Sequence, residues 1–91
     1  MNLLNKKFKE KDYSYCIYLL NNEINDILTN KIKKFNTSFS YTNLDDLKLN
    51  CIKYLDYDTA INVIDYYNIS IHKNSNISKM NKLLDIYKNL K

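Results

Sequence analysis

The sequence predicts an all-α protein, a compact bundle of four to five helices with short loops, forming a single domain over residues 1–91. First, apolar residues recur every three or four positions along several segments, which is the period of a helix with one buried face. Second, glycine and proline are absent, so nothing forces a helix to stop and no turn uses the residue that takes positive φ without steric cost. Third, stretches rich in Asn, Ser and Asp separate these segments, and such residues favour turns.

The longest helix is predicted from Asp12 to Phe35. Its apolar residues keep i, i+3/i+4 spacing: Tyr13, Ile17, Leu20, Ile24, Ile27, Leu28, Ile32 and Phe35. An aspartate at the start and lysines near the end suit the helix macrodipole. Upstream, residues 3–8 are expected to form a separate short helix or to extend this one backwards.

The second long helix is predicted to follow a loop over residues 36–42. Thr42 is its expected N-cap, with Asp45 three residues later in a capping-box-like arrangement. Two aromatic residues of the loop, Phe39 and Tyr41, are expected to pack on the core. The inward residues of the helix are expected to be Leu44, Leu47, Cys51, Ile52 and Leu55.

Two further helices are predicted. Asp58 is the expected N-cap of the third long helix. Its inward residues are expected to be Ile61, Ile64, Tyr67 and Ile71. After a turn at residues 73–76, the last helix is expected to be capped by Ser75 or Ser78. Its inward residues are expected to be Ile77, Met80, Leu83, Leu84 and Tyr87.

The composition indicates a low-GC genome. Lysine, asparagine, isoleucine and tyrosine are abundant, while arginine is absent and alanine occurs once. Because codon bias alone would produce this pattern, the missing arginine says little about nucleic-acid binding. The net charge of +4 is segregated, since residues 1–34 and 73–91 are rich in lysine and residues 35–72 are rich in aspartate. These charges either solvate outer helix faces or steer a charged partner.

The sequence indicates a cytoplasmic protein. No apolar run follows Met1, and no stretch approaches the roughly 18 apolar residues of a membrane span. The only thiols, Cys16 and Cys51, lie on apolar stripes. We therefore expect both cysteines to be buried and reduced.

Few residues are arranged for catalysis or cofactor binding. His72 is the only histidine, and one histidine with two distant cysteines does not form a metal-ligand pattern. Asp45 and Asp46 are adjacent, so on a helix they point about 100° apart rather than forming a carboxylate pair. The cysteines lie on apolar stripes, which argues against a Cys–His nucleophile. We therefore expect no enzymatic activity, no cofactor and no metal.

The segment from Asp65 to His72 is more specific. Asn68 and His72 are four residues apart, so a continuing helix would place both on one face. A polar turn and an amphipathic helix follow.

This arrangement resembles HEPN domains, helical bundles in which an Arg, usually followed by Asn, lies a few residues before a His near the end of the third long helix. The resemblance covers roughly residues 42–91. In active members the Arg and His cleave RNA across a homodimer interface. The resemblance implies an RNA site at Asn68, His72 and Lys73. The Arg position is Tyr67 here, which removes the bidentate partner of a scissile phosphate, so an active metal-independent ribonuclease is not expected.

Tyrosine is the other unusual feature, with nine residues in the chain. A rigid ring with a polar tip provides binding energy at protein interfaces. Several tyrosines and aspartates cluster around the corner between the second and third long helices. The predicted partner-binding residues are Tyr54, Asp56, Tyr57, Asp58, Asp65 and Tyr66. Such an acidic, tyrosine-rich patch suits a basic protein surface better than DNA or RNA.

The sequence therefore predicts a small, non-catalytic protein that binds and occludes a basic surface of a partner protein, and the nucleic-acid channel of a nucleic-acid-binding protein is one such surface. An inhibitor of a host defence system encoded by a phage or mobile element, anti-CRISPR-like, fits the size and codon signature. The alternatives are an HEPN-like RNA-associated module, as a degenerate ribonuclease or toxin–antitoxin component, and a helical bacteriocin immunity protein. A homodimer also stays open, because so short a bundle can leave an apolar face uncovered.

Overall fold

Five helices form the fold in the computed structural model, which describes residues 2–91. They are α1 (Asn2–Lys9), α2 (Tyr13–Lys33), α3 (Leu44–Tyr54), α4 (Tyr57–Ser70) and α5 (Ile77–Leu90). The part of the chain described contains no strand, and the predicted all-α bundle is confirmed. The N-terminal segment forms its own short helix instead of extending α2.

The long helix α2 is the centre of the bundle. Helices α1, α3 and α5 each pack directly against it, and α4 packs between α3 and α5. The buried residues of α2 keep the predicted three- and four-residue spacing: Cys16, Ile17, Leu20, Ile24, Leu28 and Ile32. Phe35, predicted to face inward, is 63% exposed and lies two residues after the end of α2 at Lys33, in a turn that Ile32 O closes by accepting from the backbone N–H groups of Phe35 and Asn36.

The loop between α2 and α3 closes one end of the core. Phe39 is buried, and Tyr41 packs partly buried against the core. The two rings stack with centroids 6.2 Å apart. Both predicted loop contacts are confirmed.

The N-cap of α3 lies one residue later than predicted. The side chain of Asn43, not Thr42, accepts from the Asp46 backbone N–H at 2.8 Å. Asp46 Oδ2 in turn accepts from the Thr42 backbone N–H at 3.3 Å. The two bonds differ from a capping box, because the Asp46 side chain accepts from the residue before the N-cap and not from the N-cap itself.

The caps of α4 and α5 also differ from those predicted. Asp56, not Asp58, caps α4, accepting from the backbone N–H of Thr59 at 3.2 Å. Asn76 caps α5, accepting from the backbone N–H of Lys79 at 2.9 Å. Each loop contains several residues whose side chains can cap a helix. In both loops the N-cap is the residue that has extended backbone and directly precedes the first helical residue.

Helix α4 turns a different face to the core from the one predicted. Its buried residues are Val63 and Tyr66, whereas Ile61, Ile64 and Ile71 are 41%, 40% and 54% exposed. The helix is apolar on two faces, and only one can meet α3 and α5. The other predicted inward residues that are exposed are Ile52 and Ile77.

Tyr66 connects α4 to α2 through a hydrogen bond inside the bundle. The side chain is 2% exposed, and its hydroxyl donates to Asn25 Oδ1 at 2.7 Å. Burial raises the pKa of this phenol well above its ordinary value of 10.0. Tyr66 is therefore a core residue with a satisfied hydroxyl.

The turn between α1 and α2 needs left-handed backbone at Lys11, whose φ is 59°. The backbone N–H of Lys11 donates to Phe8 O at 3.0 Å, and that of Asp12 donates to Lys7 O at 3.0 Å. This is the Schellman pattern, in which glycine normally occupies the left-handed position. Lysine here carries the steric cost that glycine avoids.

We expect Tyr66→Phe to lower the free energy of unfolding by about 1 kcal/mol, because it removes one internal hydrogen bond while keeping the ring. Urea denaturation measures this change. Tyr57→Phe is the matched control, since Tyr57 is 78% exposed and should leave stability unchanged. Equal stability of Tyr66→Phe and the wild type would contradict the role of this bond.

We expect Lys11→Gly to raise the free energy of unfolding by about 0.5–1 kcal/mol, since glycine takes the left-handed conformation without steric cost. Thermal and urea denaturation measure the gain. Lys11→Ala removes the same charge but keeps the Cβ, so it should give no comparable stabilisation.

Candidate functional site

An exposed aromatic cluster lies where the end of α2 meets the turn between α3 and α4. We call it the aromatic corner and define it as Phe35, Tyr54, Leu55, Asp56 and Tyr57. The rings of Phe35 and Tyr54 stack with centroids 6.1 Å apart and an interplanar angle of 13°. Tyr57 is 78% exposed, more than any other large apolar or aromatic side chain described as exposed. The corner holds three aromatic rings at the surface.

A two-residue connection produces this corner. The backbone N–H of Leu55 donates to Cys51 O at 2.9 Å and ends α3. The next residue, Asp56, already caps α4. With so short a link, Tyr54 and Tyr57 are fixed by the ends of two helices. The aromatic corner is therefore built on rigid elements rather than on a free loop.

The charges around the aromatic corner are mixed. A surface cavity of about 260 Å³ is lined by Lys31, Lys34, Phe35, Leu55 and Asp56. Hydrogen bonds from Thr59 lower the pKa of the Asp56 carboxyl, with a smaller contribution from Lys31. The ammonium of Lys53 lies 5.1 Å from the centre of the Tyr54 ring. The acidic patch expected from the sequence is thus offset by three lysines.

Two predicted partner-binding residues lie elsewhere. Tyr66 is buried, because nine residues of α-helix place it on the face opposite Tyr57. Asp65 is exposed but lines a groove between α4 and α5, together with Lys82 and Asp85. Asp58 is exposed in the first turn of α4. The structure therefore places Tyr54, Asp56, Tyr57 and Asp58 at the junction of α3 and α4, and Asp65 and Tyr66 away from it.

The sequence did not predict two residues of the corner, Phe35 and Leu55, and of these only Phe35 is exposed. It follows two lysines at the end of the predicted stripe, and its spacing matches an inward position. The sequence did contain one sign that Phe35 is exposed. A polar run begins at Asn36, and such a run favours a helix that ends before Phe35.

A second candidate site is a small polar cavity between the end of α4 and the start of α5. Its volume is about 120 Å³, and its lining residues are Ile69, His72, Asn74, Asn76, Ser78, Lys79 and Lys82. Lys79 Nζ donates to the carbonyl oxygen of His72 at 2.6 Å. We call this cavity the polar pocket. Its two ammonium groups and imidazole suit an anionic group such as a phosphate.

The residues of the predicted RNA site are only partly assembled. Helix α4 ends at Ser70, so His72 lies beyond the helix and the expected common face with Asn68 does not form. Asn68 lines the groove between α4 and α5, next to the polar pocket. Lys73 is exposed and is not among the residues that line the pocket.

Tyr67, which takes the arginine position in the resemblance to HEPN domains, lies on a different side of α4 from His72. Tyr67 lies beneath the ammonium of Lys48, which is 3.9 Å from the ring centre. Lys48 also pairs with Asp45 at 3.3 Å. The ammonium of Lys48 therefore lies on the side of α4 that packs against α3, whereas His72 lies on the side next to α5.

The thiols are buried in the core. Cys16 and Cys51 are both free and fully buried, which confirms the prediction. Burial raises the pKa of Cys51 from 9.0 to about 12, so this thiol keeps its proton at neutral pH and is a poor nucleophile.

Among residues 2–91, no group of three or more His, Cys, Asp or Glu side chains is placed to hold a metal ion. Within that same range no helix has the length and apolar character needed to cross a membrane.

We expect the free energy of unfolding to fall as the pH rises above about 9. The unfolded chain releases the Cys51 proton near pH 9.0, whereas the folded chain keeps it to about 12, so the unfolded state binds fewer protons and gains relative stability. The slope is at most about 1.4 kcal/mol per pH unit for each such group. Urea denaturation between pH 8 and pH 10 measures it, and Cys51→Ala should flatten the profile near pH 9.

No family model matches the sequence, no curated protein is significantly similar to it, and no solved structure is significantly similar to the fold. The geometry of the aromatic corner and the polar pocket is therefore the basis on which a function is inferred.

Proposed function

We propose that this protein is a non-catalytic binding protein that docks on another protein through the aromatic corner. The observation that carries the proposal is the 78% exposure of Tyr57 at the junction of α3 and α4, the junction that also carries Tyr54, on whose ring the exposed Phe35 stacks. Aromatic side chains on rigid backbone dominate binding energy at protein interfaces, because they bury large areas at low entropic cost. Leaving the rings of Phe35 and Tyr57 exposed to water has no benefit for the fold itself.

The charges around the aromatic corner indicate what charges the partner surface should carry. Asp56 favours a basic group on the partner, while Lys31 and Lys34, which line the same cavity, favour acidic groups beside it. The partner surface is therefore an apolar patch bordered by both signs of charge, rather than the uniformly basic surface that the sequence suggested. Occlusion of that surface is the mechanism, and an inhibitor of a defence system, encoded by a phage or mobile element, is a biological role that such a mechanism serves.

A second candidate function rests on the polar pocket. His72, Lys79 and Lys82 line one cavity, and this cluster suits a phosphate of RNA. An HEPN-like RNA-associated module would act there, at the end of α4 remote from Tyr57. The two candidates therefore use different residues and respond to different substitutions.

The test is a pull-down with the tagged protein from a low-GC bacterial lysate, with and without nuclease. We expect one stoichiometric protein to be retained after nuclease treatment. Tyr57→Ala should weaken its binding by at least about 30-fold, since an interface aromatic of this kind contributes about 2 kcal/mol or more. Isothermal titration calorimetry with the purified partner measures the change.

Tyr18→Ala is the matched control, because Tyr18 is an aromatic residue of α2 that is 57% exposed and is not part of the corner. It should leave binding unchanged. Binding that survives Tyr57→Ala but is lost in Lys79→Ala, together with RNA in the retained material, would reject the aromatic corner in favour of the polar pocket.

A further inference from the structure

The second apolar face of α4 forms an exposed ridge. We call it the α4 ridge and define it as Ile61, Ile64, Asn68 and Ile71. The three isoleucines are 41%, 40% and 54% exposed, and Asn68 is exposed. Ile52 of α3, 46% exposed, lies one helical turn after Lys48, which contacts Tyr67 of α4. The apolar surface thus extends from the ridge towards α3.

The spacing of the ridge is that of a coiled-coil seam. Successive members are separated by three, four and three residues, the alternation of a and d positions in a heptad. This spacing is the same in both directions along the helix, although the residue order is not. In an antiparallel pair of identical helices, Ile61 would therefore meet Ile71, and Ile64 would meet Asn68. The ridge is complementary to itself.

We propose that the α4 ridge binds the α4 ridge of a second copy of this chain, with the two helices antiparallel about a twofold axis between Ile64 and Asn68. An isologous contact of this kind needs one surface that complements itself, which is the property that the spacing provides. The inference is independent of the docking function proposed above.

Charge at the ends of α4 favours the second copy over an unrelated helix. Asp58 is the acidic residue in the first turn of α4, and Lys73 follows its C-terminal end. The antiparallel arrangement places Asp58 of one copy next to Lys73 of the other, twice per dimer. It also brings the two Asp65 carboxylates to the same flank near the axis, where they repel. Charge interactions therefore destabilise the dimer near its twofold axis and stabilise it at the two ends of the helix pair.

The dimer leaves the aromatic corner free. Tyr57 lies beyond the last paired residue, so each copy keeps its own corner accessible. The two Tyr57 residues would be separated by 18 helical residues along the pair, or about 27 Å at 1.5 Å per residue. Because a stable interface buries about 800 Å² on each partner and the ridge contributes few side chains, the dimer should dissociate on dilution.

Disulfide trapping tests the pairing and its direction. Ile61→Cys and Ile71→Cys variants, mixed and oxidised, should form a crosslinked heterodimer, while each variant alone should crosslink far less. The native thiols are fully buried and do not compete. Ile77→Cys, made at a residue 44% exposed on α5, is the control partner. Crosslinking of the mixture no greater than with this control, or efficient crosslinking of either variant alone, would overturn the proposal.

Sedimentation velocity over a range of concentrations tests the energetics. The wild type should pass from monomer to dimer as concentration rises, and Ile64→Lys should remain monomeric with an unchanged circular dichroism spectrum. Asp65→Asn should tighten the dimer several-fold by removing the central repulsion. Ile77→Lys and Tyr57→Ala should dimerise like the wild type. A wild type that stays monomeric at the highest concentration, or an Asp65→Asn variant that dimerises less, would contradict this arrangement.

Discussion

Burial of one continuous stripe along α2 is the constraint on which the rest of the structure depends. Its apolar side chains, from Cys16 to Ile32, have almost no exposure, and three other helices pack against them. A chain of this size buries only part of its apolar surface. Once α1, α3 and α5 have covered α2, little core remains for α4 to join.

The position of α4 follows from this competition. It packs on α3 and α5, and Tyr66 reaches Asn25 of α2 by a hydrogen bond. That contact fixes the rotation of α4 about its axis, because a buried phenol needs its partner. The same rotation turns Ile61, Ile64 and Ile71 outward. The burial of Val63 and Tyr66 against α3 and α5, together with this hydrogen bond, therefore leaves the apolar ridge exposed.

The surfaces suited to binding lie at separate places on α4. The aromatic corner is at its N-terminal end, the polar pocket is beyond its C-terminal end, and the α4 ridge lies between them. Tyr57 and His72 are 15 residues apart, a separation of about 22 Å along a helix. The thiols are enclosed in the core, where burial raises the pKa of Cys51. The three surfaces on α4 offer aromatic area, apolar contact and charge for binding.

The sequence by itself determined the all-α class, a bundle of four to five helices, the buried stripe of α2 and the burial of both cysteines, since each depends on local periodicity. It also identified Tyr54, Asp56, Tyr57 and Asp58 as neighbours, because a two-residue connection keeps them together. Only the tertiary structure decided the caps, since each loop contains several Asn, Ser, Thr or Asp residues with similar capping ability. It alone exposed Phe35 by ending α2 at Lys33, and it alone chose between the two apolar faces of α4. Both faces have the helical period, and only packing against α3 and α5 distinguishes the face that is buried.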